Sequence, residues 1–62
     1  MTIHIDNQIA CVKRELAMRR NVYPKWISQG RMTRTKADSE IEAMEAVLQT
    51  LVTLKEQGGV IA

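Results

Sequence analysis

Four carboxylates crowd one short stretch of the sequence: Asp38, Glu40, Glu42 and Glu45. Acid–base catalysis needs two such groups held across a cleft, in environments that separate their proton affinities. Helical spacing instead puts Asp38, Glu42 and Glu45 on one side of a single helix, the usual pattern of a solvated face. His4 and Cys11 are the only His and Cys and stand seven positions apart. They supply too few ligands for a Cys/His zinc site within one chain. The sequence holds no Glu-x-x-His pair for a di-iron centre, no glycine-rich phosphate loop and no nucleophile beside a base. These residue types point away from an enzyme, and nothing in them calls for a cofactor or a metal.

Binding chemistry is better represented. Residues 13–36 carry eight of the nine basic side chains and a single acid, Glu15; residues 37–62 carry five acids and one base. Ion pairs between two facing halves would absorb much of that asymmetry. A fold about residues 31 and 32 brings Arg19 and Arg20 to the region of Glu42 and Glu45, and Lys25 to Asp38. Such exposed pairs contribute little stability, about 0–1 kcal/mol each, but help to set register. Arg31, Arg34 and Lys36 have fewer acids to meet. Arg34 and Lys36 also fall at the start of a helix, where the helix dipole disfavours cations. That triad has the chemistry to contact phosphates or an acidic protein surface. The two aromatics, Tyr23 and Trp26, are three apart and share a helix face. The simplest expectation is a core plug beneath the turn, with Trp26 opposite the small Ala37. The alternative is an anchor at a partner interface, where Trp, Tyr and Arg are enriched.

Two helices must position these groups. Ile9, Val12, Leu16, Tyr23, Trp26 and Ile27 recur in steps of three and four, with Arg19 and Arg20 breaching the stripe. Asp6 is the expected cap of the first helix, over 7–29. Pro24 lies inside it and removes a hydrogen bond to the carbonyl of Arg20. The stripe stays in phase across the proline, which favours one kinked helix over two separate ones. Gly30 ends it, and residues 30–33 turn. Thr33 is the expected cap of a second helix over 34–57, with Met32 and Ala37 at the flanking staple positions; Thr35, with Asp38 three residues on, is a competing cap. Its stripe runs Ala37, Ile41, Met44, Leu48 and Leu51, widened by Val47, Val52 and Leu54. Gly58 and Gly59 close it. Equal helices and a short turn specify an all-α antiparallel hairpin, a single domain over 1–62. The flanking "TIHI" and "VIA" are apolar and β-branched, placed to cover the open end or to pair as short strands.

Sixty-two residues form a small domain with little room for a core. One cysteine cannot make an internal disulfide, and it suits a reducing compartment. Neither a signal peptide nor an apolar run of the ~18 residues that mark a membrane span is visible, so the expectation is a soluble, cytoplasmic protein away from membranes. A single helix–helix seam is too narrow for the apolar stripe of the second helix. Self-association into a two-fold four-helix bundle would cover the remainder, through Ile41, Met44, Val47, Leu48, Leu51 and Leu54; docking onto a different protein is the other way to cover it.

The stretch from Glu15 to Leu48 carries Met18-Arg19-Arg20, Val22-Tyr23-Pro24, Trp26, Gly30-Arg31-Met32-Thr33, Ala37-Asp38, Glu40-Ile41 and Met44. This pattern resembles a family of small proteins encoded in phages and prophages. The resemblance implies an accessory role in a bacterial host cell and transfers no catalytic or binding residue. Together with the charge and aromatic pattern it leads to an expected non-catalytic module that engages or inhibits a host protein. The surface expected to do so comprises Arg19, Arg20, Tyr23, Trp26, Arg31, Arg34 and Lys36. A nucleic-acid-binding regulator is the alternative, because "TIHI" followed by a helix is loosely similar to a ribbon–helix–helix repressor.

Overall fold

Apolar side chains spaced by three and four need a second surface to cover them, and the chain supplies it by folding back on itself. The computed structural model describes residues 2–58. It contains two helices, α1 (Ile5–Ser28) and α2 (Arg34–Glu56), packed along their lengths into an antiparallel hairpin 46 Å long and 16–18 Å across. No strand occurs among the described residues. Residues 2–4 precede α1 without regular structure, and the "VIA" segment lies outside the described residues.

The start of α1 differs from the sequence expectation. Asp6 is not the cap. The helix begins at Ile5, and His4 is the capping residue, its Nδ1 accepting from the Asp6 amide at 3.1 Å. The Asp6 carboxylate instead reaches Lys55 at the far end of α2. An interhelix ammonium is a stronger partner for a carboxylate than a backbone amide, and His4 is left to satisfy the free N–H. Asp6 still occupies the first turn, where a negative charge complements the helix dipole. Further along, α1 continues unbroken through Pro24.

The turn follows its local chemistry. Gly30 has φ of +73°, a conformation that costs any residue with a Cβ. Its amide donates to the Ile27 carbonyl at 3.0 Å, and the Arg31 amide to the Trp26 carbonyl at 2.8 Å. These two bonds make the Schellman closure that satisfies the last carbonyls of a helix. Thr33 then caps α2, its hydroxyl accepting from the Lys36 amide at 3.1 Å. Met32 before the cap is half-buried and Ala37 after it is buried, as a hydrophobic staple requires.

The core is thin. Only Ile9, Leu16 and Ala37 are buried among the described residues. Ile41, Met44, Leu48 and Leu51 line the seam half-buried, while Met18, Val47 and Leu54 stand exposed. Two cylinders in contact bury one line of side chains on each and leave both flanks of that line open to water.

Candidate partner-binding surface

Arg19 and Arg20 are neighbours in sequence, and consecutive helix positions diverge by about 100°. They consequently leave α1 on opposite flanks of the seam. Arg20 pairs with Glu45, as its expected placement required. Arg19 goes the other way. It bonds Glu15 one turn back at 3.2 Å and reaches Glu40, not Glu42, at 3.8 Å. The hydrogen bond to Glu15 holds the Arg19 guanidinium above its ordinary proton affinity. Its side chain is only a quarter exposed, so the stem covers apolar surface while the head meets carboxylates. That resolves the apparent breach in the apolar stripe. Lys25 and Asp38, expected to face each other, form no ion pair.

The triad at the turn is divided by the same geometry. Lys36 pairs with Glu40 one turn along at 3.1 Å, joining the Arg19 flank. Glu15, Arg19, Glu40 and Lys36 thus form one linked chain of alternating sign. Arg31 does not meet an acid; its guanidinium lies over the Trp26 ring, 5.3 Å from the centroid. Arg34 also lacks an acid within ion-pair distance among the described residues, and it points to the other flank. There it borders a groove of about 280 Å³ floored by Tyr23, Pro24, Ile27, Ala37 and Ile41, with Arg20 and Asp38 at its edge.

Trp26 is half-buried and is not the sealed plug that its place under the turn suggested. Its ring lies 5.8 Å from that of Tyr23, tilted by 33°, and it borders a second groove with Gly30, Arg31, Met32, Thr33 and Lys36. The small residue that is sealed is Ala37, at 3% exposure. A methyl group at the closest approach of the helices is covered completely. An indole at the end of the seam has no third element to roof it.

The turn end therefore brings together an aromatic pair, a guanidinium stacked on one ring and a second guanidinium, Arg34, beside an apolar groove. Guanidinium and aromatic faces of this kind bind by desolvation and planar hydrogen bonding, not by proton transfer. No cluster of three or more His, Cys, Asp or Glu able to hold a metal occurs among the described residues, and no helix is long and apolar enough to cross a membrane. The Arg31–Trp26 stack is the feature that sequence reasoning missed. The two residues are five apart across the helix end, and only the Gly30 turn swings Arg31 back over the ring. Comparison of the chain with protein-family models, with curated proteins and with solved structures gives no match.

Proposed function

We propose that this chain is a non-catalytic protein-binding module whose turn end engages another protein. The observation that supports this reading is the cluster of half-exposed Trp26 and Tyr23 with Arg31 stacked on the indole and Arg34 free to pair. Trp, Tyr and Arg are the residue types that dominate protein interfaces, because each combines a large apolar face with a polar edge. The resemblance of residues 15–48 to small phage and prophage proteins extends the proposal. The chain then acts as an accessory factor in the cytoplasm of a bacterial host, engaging or inhibiting a host protein.

The basic tip also has the charge to contact DNA, and the same experiment separates the two readings. Immobilised protein is presented with a bacterial lysate, and DNA binding is measured in parallel over a range of salt. The module reading expects a discrete captured protein that is lost on Trp26→Ala and on the triple change of Arg31, Arg34 and Lys36 to Ala, with helix content unchanged. DNA binding is then weak at physiological salt. At the tip Lys36 and Arg20 are already matched by Glu40 and Glu45, which leaves Lys25, Arg31 and Arg34 to displace counterions. Tight, salt-sensitive DNA binding abolished by the triple change would overturn the protein-binding reading.

A further inference from the structure

The exposed apolar side chains of the helical region are not scattered. Met18, Val47 and Leu54 are 52%, 47% and 45% exposed, and helix spacing puts Val47 and Leu54 on the flank marked by Glu40, with Met18 beside Arg19 towards the outer face of α1. Met18 and Val22 border one groove with Glu15, Arg19 and Trp26, which places them on that side of α1. On α2, Val47 and Leu54 follow Glu40 at steps of seven, so they return to the same side. Half-buried Leu51 lies between them. The opposite flank is different in kind: it carries the Arg20–Glu45 and Asp6–Lys55 pairs with Arg34 and Asp38.

We propose that a second copy of this chain covers the Met18, Val22, Val47, Leu51 and Leu54 flank, leaving the turn end free. The flank adjoins the tip at Trp26 and Lys36, but its test reads association state, not capture of a host protein, so the two proposals fail separately. Charge is the first argument. The ionic groups on this flank are Glu15, Arg19, Glu40 and Lys36, two of each sign, already linked to one another. Such a flank has no net charge with which to select an acidic or a basic partner, whereas alternating signs are self-complementary about a two-fold axis. Area is the second argument. A specific interface buries about 800 Å² on each partner, roughly a sixth of the 4776 Å² that one chain exposes. One side of the whole hairpin, 46 Å long and up to 18 Å wide, has an outline of that order, and side-chain relief adds accessible area to the part that lies clear of the tip. The third argument is the core itself: three buried residues among those described in one copy is a core cut in half. Of the residues expected from sequence to mediate self-association, Val47, Leu51 and Leu54 take this role. Ile41 turns to the groove on the other flank.

Sedimentation equilibrium with circular dichroism tests the proposal. The wild-type chain should sediment at twice its 7.0 kDa mass at micromolar concentration and be helical. Met18→Glu and Val47→Glu should each weaken the dimer by about tenfold or more, since each buries a carboxylate against a matching apolar face. Lys13→Glu introduces the same charge seven residues before Arg20, on the other flank, and should leave the dimer intact. Cys11 provides a readout that needs no substitution. It is exposed in one copy and sits seven residues before Met18, so its reaction with a thiol reagent should slow as the dimer forms. A wild-type monomer, folded or unfolded, overturns the proposal and leaves the flank to another protein. So does a dimer that weakens with Lys13→Glu but not with Val47→Glu, or a Cys11 rate indifferent to dimer formation.

Discussion

Asp6 shows how one side chain joins the two helices at the open end of the hairpin. Its carboxyl is held below the ordinary value of 3.8 chiefly by the hydrogen bond from Lys55; desolvation opposes this, and the charges of Lys55 and His4 add lesser lowering effects. A carboxylate whose proton affinity is depressed on folding stabilises the fold above its unfolded value, and that contribution is lost as pH falls through the folded value. The open end should therefore loosen as pH drops below about 3.8, while the turn end is unaffected by this group. Carboxyl NMR titration checks it directly. Lys55→Ala should return Asp6 towards its ordinary value, and an unchanged titration would show that the pair does not form in solution. The group is solvent-exposed, so the effect on overall stability is small.

At the scale of elements, the turn is held by two local devices that act independently. Gly30 occupies a left-handed conformation with open space around it, so an added Cβ meets no neighbour and the cost is purely backbone strain. Gly30→Ala should destabilise the hairpin by about 1–2 kcal/mol. Thr33→Ala removes the hydroxyl that accepts from the Lys36 amide and should cost about 1 kcal/mol. Thermal melts of the two single variants and the double variant check both figures. Near-additive losses are expected, because strain and capping are separate interactions on opposite sides of the turn. A Gly30→Ala protein as stable as the wild type would mean that the turn adopts a different conformation. The Arg31–Trp26 stack depends on this turn, so both variants should also alter Trp26 fluorescence.

For the whole molecule, the energetics follow from how few side chains are sealed. Leu16 is 4% exposed and central to the seam; Leu16→Ala should cost about 2–5 kcal/mol. Glu45 pairs with Arg20 at the surface, both about half exposed, and Glu45→Ala should cost no more than about 1 kcal/mol. Ile41 and Leu48 are half-buried within one copy, so their truncation should fall between these limits. Melting temperatures measured in one buffer at one protein concentration check the order. The concentration must be held fixed, because a chain that associates gains apparent stability by mass action. A ranking that placed Glu45→Ala above Leu16→Ala would mean that the helices meet through different faces.

The sequence by itself determined the two helices, the Gly30 turn, the Thr33 cap and the antiparallel hairpin. Each is set by signals that act over a few residues: a three-and-four apolar period, a glycine able to take positive φ, a hydroxyl three positions before an unsatisfied amide. Tertiary structure decided the rest. It sent Arg19 and Arg20 to opposite flanks, drew Asp6 from the expected capping role to Lys55, split the basic triad between two surfaces and left Trp26 half-open at the end of the seam. Those outcomes depend on how far each helix is rotated about its own axis and how far it slides along its neighbour. Neighbouring residues on a helix differ by about 100° in direction, so a small rotation reassigns every flanking side chain while the apolar period that specifies the helix stays the same.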